Sequence, residues 1–269
     1  MSRSNINGAV LITGASTGIG AVYADRLAHR GHDLILVARD RDRLEALAAR
    51  LRAETGVKVE VVKADLTNRA DLLAIEARLR EDAGVAGLVN NAGLAVAQPL
   101  VGGDPDQLER IIELNITAAA RLAIAAATGF AERGGGLIVN LASVLALAPE
   151  ISNGFYSGSK AFLLNLSHSL AQELADKNVH VQAVLPGATR TEIWDRSGRS
   201  VDQIPADMLM EVDELVDAAL IGLDAGEAVT IPTLPDVKEW QALETARLSL
   251  RPNLSRNHAA DRYRVPVTA

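Results

Sequence analysis

Short runs of uninterrupted apolar residues alternate with helix-patterned stretches along most of this chain, and few arrangements accommodate that rhythm. The first run, AVLIT (9–13), stops at Gly14. A helical pattern over 19–30 follows and ends at Gly31, the residue type that most often closes a helix. The second run is DLILVA (33–38), followed by a helix over 41–55 in which Leu44, Leu47 and Leu51 recur at three- and four-residue spacing. The alternation continues with a strand at 57–64, a helix at 69–82, a strand running into a turn at 86–93 and a long Ala-rich helix at 105–132. A strand at 136–143, a helix at 155–176, a strand at 179–187, a helix at 211–223 and a strand at 228–232 complete the series. Strands that are apolar along their whole length are covered on both faces, and a helix between successive strands returns the chain in the same direction.

These patterns predict an α/β fold: a single-domain, Rossmann-type doubly wound parallel sheet of about seven strands with helices on both faces. No Pro/Gly/Ser-rich linker interrupts the series, so one domain is expected over 1–269, with its core at about 8–232. Residues 188–210 break the rhythm and are expected to form a substrate lid, while 235–269 form a C-terminal extension. Apolar residues make up 48% of the chain and aromatics only 3%, so the core must be aliphatic. The net charge of −7 opposes nucleic-acid binding, which needs a basic face. There is no cysteine, which removes disulfides and thiol nucleophiles and suits a reducing compartment. No run approaches the roughly 18–20 uninterrupted apolar residues of a membrane span. A cytoplasmic protein without membrane or nucleic-acid partners is expected. The five histidines (29, 32, 168, 180 and 258) show no metal-ligand spacing.

The loop after the first strand is TGASTGIG (13–20), with glycines at 14, 18 and 20. Glycines permit positive φ and close backbone approach, and the following helix N-terminus offers N–H groups and a partial positive charge to a pyrophosphate. Ser16 and Thr17 add hydroxyl donors. At the end of the second strand, where such sites read the adenosine ribose, stands VARD (37–40). Arg39 can pair with the 2′-phosphate of NADP, whereas Asp40 can reach a ribose hydroxyl, so NADP(H) is preferred and NAD(H) stays open.

GFYSGSKAF (154–162) puts Tyr156 and Lys160 four residues apart, on one helical face. A phenol has a pKa of about 10. A lysine cation about 4 Å away, at an effective dielectric of about 20, favours the phenolate by roughly 4 kcal/mol and lowers that pKa by as much as about 3. Tyr156 is thereby expected to exchange a proton near neutrality.

Further stretches stand in order: ADL (64–66), NNAG (90–93), ELNI (113–116), NLAS (140–143) and PGATRT (186–191). With the glycine loop and the Tyr–Lys pair they resemble the short-chain dehydrogenase/reductase family over roughly residues 8–232. The resemblance implies an NAD(P)-dependent oxidoreductase acting on a carbonyl or secondary alcohol. It implies that Gly14, Ser16, Thr17, Gly18, Ile19 and Gly20 form the cofactor loop. Asp65 and Leu66 would meet the adenine, and Asn91, Ala92 and Gly93 would line the cofactor. Pro186, Gly187, Thr189 and Thr191 would hold its nicotinamide end, and Tyr156 and Lys160 would also touch it. The catalytic residues implied are Asn115, Ser143, Tyr156 and Lys160. Thr17 occupies a position that is basic in some NADP-dependent members. Family members often form homodimers or homotetramers through the two long helices near 105–132 and 155–176. Val144, Leu145, Leu147, Ile151, Ile193, Trp194, Met208 and Met210 in the substrate loops favour a medium-sized ketone or aldehyde. The alternative is a catalytically idle NADP-binding sensor or scaffold.

Overall fold

The structure, a computed structural model, describes residues 6–198 and 200–264. The expected lid at position 199 and the expected tail at 265–269 lie outside the described residues. The chain divides into two compact units, residues 1–232 and 233–269.

The first unit is built on a seven-stranded parallel sheet in the order β3-β2-β1-β4-β5-β6-β7. The strands are β1 (Ala9–Thr13), β2 (Leu34–Ala38), β3 (Val59–Lys63), β4 (Val85–Asn90), β5 (Gly136–Leu141), β6 (Val179–Val184) and β7 (Val229–Thr230). Successive side chains on a strand point to opposite faces, and here both faces are packed. On one face Val10, Ile12, Leu34 and Leu36 meet Tyr23 and Leu27 of α1 (Gly18–His29), Leu44 and Leu51 of α2 (Arg41–Thr55) and Leu215 of α8 (Val212–Ala225). On the other, Leu11, Ile35 and Val37 meet Leu72 and Leu79 of α3 (Arg69–Glu81), Leu122 and Phe130 of α5 (Ala119–Glu132) and Leu170 of α6 (Gly154–Glu173). The predicted Rossmann-type doubly wound sheet is the fold observed.

Of the stretches 86–93 and 179–187, the first ends its strand at Asn90 and runs into the expected turn, and the second stops at Val184, short of its expected end. Their last three residues leave the ladder and turn along the C-terminal edge of the sheet, where ligands bind in folds of this type. The helix expected over 105–132 is continuous but not uniform. It comprises α4 (Pro105–Ile111), a π-helical segment (Ile112–Ala118) and α5. Pro105–Glu132 is long and apolar enough to cross a membrane by length and composition, but half of its most apolar window is buried inside the protein, as in a core helix.

In the second unit α9 (Val237–Ser249) buries none of its residues. An N-cap from Asp236 to the Lys238 N–H (2.9 Å) and an Arg247–Glu244 ion pair (2.7 Å) support it. It has no buried apolar stripe, which is why sequence periodicity passes it over.

A polar chain crosses the apolar interior beneath the C-terminal edge. Asn90 and Asn140 are register partners on β4 and β5. Asn90 Nδ2 donates to Ala119 O (2.8 Å) and Asn140 Oδ1 (3.1 Å), and Asn140 Nδ2 donates to Ser167 Oγ (2.9 Å). The Ser167 hydroxyl donates onward to Leu163 O (2.7 Å). Strand and helix on both sides of β4–β5 are thereby fixed in register. Asn140→Ala removes the middle of this chain at a fully buried position. It should cost about 2–3 kcal/mol, read as a lower urea midpoint at unchanged m-value.

Candidate active site

The sheet order reverses between β1 and β4, so the loops leaving these two strands diverge and open a crevice. Gly14 (φ +66) and Gly18 (φ +56) adopt the left-handed backbone that the turn into α1 requires. A Cβ on Gly20 would stand 2.5 Å from Gly14 O and 2.6 Å from Asn91 Nδ2. The first turn of α1 carries no acidic side chain, which keeps the helix N-terminus favourable to an anion. Thr13, which the sequence reading does not single out, locks the two loops. Its Oγ1 accepts from the N–H groups of Asn91 and Ala92, each at 3.0 Å, while Asn91 Nδ2 returns bonds to Thr13 O (2.9 Å) and Gly14 O (3.3 Å).

A cleft of about 640 Å³ fills the crevice. Gly14, Ser16, Thr17, Gly18 and Ile19 line it from the glycine loop, Arg39 from the end of β2, and Asp65 and Leu66 from the end of β3. Asn91, Ala92 and Gly93 line it after β4, and Thr191 after β6. Gly20, Pro186, Gly187, Thr189, Tyr156 and Lys160 are outside its lining. Gln107 and Arg110, one turn apart on α4, line it as well and were not foreseen. Their signal was only helical spacing on an exposed face.

The adenosine end of the crevice carries two arginines, Arg39 and Arg110, beside the carboxylates Asp40 and Asp65. Burial tends to raise the Asp65 carboxyl, but hydrogen bonds from the Thr67 hydroxyl (2.7 Å) and N–H (3.0 Å) outweigh it. Together with the Arg39 and Arg110 charges they hold it below the usual carboxylate range. Asp40 is the N-cap of α2: its Oδ1 accepts from the Arg43 N–H at 3.1 Å and its Oδ2 lies 3.4 Å from Arg43 Nε. Arg39 stands exposed beside Asp40 at the strand end. The glycine cradle, the helix N-terminus and the arginines together fit a dinucleotide with a charged ribose substituent.

Asn115, Ser143, Tyr156 and Lys160 converge beyond the other end of the crevice. The π-helical segment turns Asn115 toward the loop after β4, where its Oδ1 accepts from Leu94 N and its Nδ2 donates to Leu94 O, each at 2.9 Å. Asn115 Nδ2 also donates to Ser159 Oγ at 3.2 Å. Lys160 is buried, and its Nζ donates to Leu141 O at 2.7 Å. The Ser143 hydroxyl donates to Pro186 O (3.4 Å), accepts from Leu145 N (3.2 Å) and makes a hydrogen bond to the Tyr156 phenol.

The electrostatics differ from the expectation. Burial pushes the Tyr156 phenol up to about 12, with the Ser143 hydrogen bond pulling the other way. Burial pushes the Lys160 ammonium down to about 8. Lys160 Nζ lies 5.7 Å from the centre of the Tyr156 ring and is engaged by a carbonyl. Removal from water disfavours the charged form of each group.

The expected lid is tied at its ends. Met210 N donates to Ala188 O and Arg190 N donates to Met210 O, each at 3.0 Å. Trp194 Nε1 donates to Thr189 O at 2.7 Å and Ile193 lines the cleft, whereas Met210 packs on the core and Met208 and Ile151 are exposed.

Residues 8–202 match the family model described as short chain dehydrogenase. A short-chain dehydrogenase from Sphingobium yanoikuyae, solved in complex with NADPH, is 55% identical, with a TM-score of 0.92 over 96% of this chain and 100% of that one. The bulky-bulky ketone specific alcohol dehydrogenase from Comamonas testosteroni is 47% identical, with a TM-score of 0.88 over 96% of this chain and 99% of that one. A very-long-chain 3-oxoacyl-CoA reductase from Anas platyrhynchos is 33% identical over 72% of this chain, and the match spans 63% of the relative's own length. With its crevice, its glycine loop and this match, the chain belongs to the short-chain dehydrogenase family.

Proposed function

We propose that the protein is an NADPH-preferring oxidoreductase that interconverts a carbonyl compound and its alcohol, with Tyr156 as proton donor and acceptor. The observation that carries this reading is the buried Ser143 hydroxyl beside the Tyr156 phenol, with the buried Lys160 ammonium one helical turn on. NADPH suits the Arg39 and Arg110 side chains in the cleft wall, and it is the ligand of the Sphingobium relative and of L-sorbose reductase from Gluconobacter frateurii. The Comamonas relative acts on bulky-bulky ketones, and a medium-sized ketone or aldehyde is the substrate class proposed here.

When bound, the nicotinamide supplies or takes the hydride. The Ser143 hydroxyl holds the substrate oxygen by a hydrogen bond. In reduction Tyr156, protonated across the neutral range because its pKa is about 12, gives its proton to that oxygen; in oxidation it first passes that proton to Lys160 and then takes the alcohol's proton as the phenolate. Lys160 hydrogen-bonds the nicotinamide ribose and replenishes the phenol's proton. Asn115, held against the Leu94 backbone, positions a water that joins Lys160 to solvent. The net charge of −7 and the absence of cysteine support a cytoplasmic location. The exposed Ile112, Ile124 and Phe162 side chains support a homodimer or homotetramer through the helices that carry them.

Tyr156→Phe should lower kcat at least about 100-fold in NADPH oxidation against a panel of ketones and aldehydes, while NADPH binding stays within about twofold. NADPH binding by the wild type without turnover of any panel member would instead support an idle sensor. Arg39→Ala should weaken NADPH by about tenfold or more and NADH far less, as the loss of one charge-assisted phosphate contact requires. Equal effects on the two cofactors would refute the NADP preference.

Lys160 carries a cost with a defined pH window. Its folded pKa of about 8 lies below the ordinary 10.5, so between these values the unfolded chain binds more protons and stability rises with pH. Below pH 8 the penalty is fully present, at about 3 kcal/mol. Lys160→Met removes it and loses the Leu141 hydrogen bond, worth about 1–2 kcal/mol. The variant should therefore melt higher than wild type at pH 7, lose that advantage as pH rises from 8 to 10.5, and be inactive throughout.

A further inference from the structure

The segment after β4 runs along the cleft, with Leu94, Ala95 and Val96 in its wall. Asn115 holds this segment at Leu94. A second asparagine, Asn153, holds it two residues on, where Asn153 Nδ2 donates to Val96 O at 2.8 Å. The next residue, Ala97, donates its N–H to Ser197 O at 2.9 Å, so the same segment is joined to the lid helix α7 (Ile193–Ser197). Asn153 is also the N-cap of α6: its Oδ1 accepts from Tyr156 N at 3.0 Å, and its backbone O accepts from Ser157 N at 3.2 Å. One short, planar amide thus touches both the wall of the cleft and the backbone of Tyr156. The cap alone does not require asparagine, because serine and aspartate cap as well. The bond to Val96 does require a donor, which neither of those residues provides at that reach.

We propose that Asn153 is a positioning residue: its carboxamide sets Tyr156 against the 94–97 segment, so that proton donor, cleft wall and lid keep one mutual geometry. The inference rests on the proton-transfer role of Tyr156 stated above. Catalysis is sensitive to such placement, since a displacement of about 1 Å can cost about 100-fold in rate.

Asn153→Ser keeps the cap but is too short to reach Val96. Asn153→Asp keeps the cap and turns an acceptor toward the same carbonyl. Each is measured as the full chain, for melting temperature, NADPH Kd, and kcat and KM with a ketone the wild type reduces, with Tyr156→Phe alongside. The expected result is a melting temperature close to wild type, NADPH Kd within about twofold, and kcat lowered about tenfold or more. If the serine variant is unstable the aspartate variant decides, because a carboxylate favours a helix N-terminus. A kcat within about twofold of wild type, or a loss of kcat matched by equal loss of NADPH affinity, overturns the proposal. A fully active Tyr156→Phe overturns the proton-donor reading instead. An inactive Tyr156→Phe beside fully active Asn153 variants leaves that reading standing and removes this one.

Discussion

The joint between β1 and β4 is the contact on which the rest of the site depends. Two strands far apart in sequence pair there, and the Thr13 hydroxyl accepts the N–H groups of Asn91 and Ala92 where the ladder ends. Without that bond the two partly buried amides would lose their acceptor in the protein. With it, the glycine loop and the loop after β4 leave the sheet at a fixed separation. Gly20 must then be glycine, because the same closure brings Gly14 O and Asn91 within 2.6 Å of any Cβ there. The width of the crevice follows from the joint and is not set by the loops themselves.

At the opposite end of the crevice the chain accepts an unfavourable arrangement. A lysine is buried, and a tyrosine partly so, where water could have stabilised their charged forms, and each is displaced toward neutrality. The apolar packing on both faces of the sheet supplies the stability that this tolerates. What burial yields is a phenol that holds its proton more tightly and an amine that holds its proton less tightly than either would in water. A solvent-exposed Tyr–Lys pair on the same helical turn would have neither property.

The sheet was readable because both of its faces are apolar: β2 is an uninterrupted apolar run, β1 is apolar up to Thr13 and β5 is broken only by Asn140 after its first glycine, and their ends differ from the sequence reading by few residues. The glycine loop and the Tyr–Lys pair were readable because their chemistry depends on local spacing. Thr13, Arg110 and Asn153 were not, since each acts on a partner brought near only by the fold. Thr13 looks like the last residue of a strand, Arg110 like a solvated helix residue, and Asn153 like a loop residue before a helix. The direction of the Tyr156 shift was misjudged for a related reason. Helical spacing shows that two side chains share a face but not how far that face is withdrawn from water, and it is burial that raises the phenol here. The helix α9 escaped notice because it has no apolar stripe to betray it.

Asparagine recurs at this edge for a physical reason. Where parallel strands stop, backbone N–H and C=O groups lose their ladder partners, and helices and loops must mend the break. A carboxamide carries one acceptor and a two-hydrogen donor on a stem short enough to be held rigidly, so it can stand in for a peptide unit. Asn91 does so for Thr13 and Gly14, Asn115 for both polar groups of Leu94, and Asn153 for Tyr156 and Val96. Aspartate would supply only acceptors and serine too little reach. The residues that touch the reacting groups are few, and their placement is handed to amides that continue the sheet's hydrogen bonding after the sheet has ended.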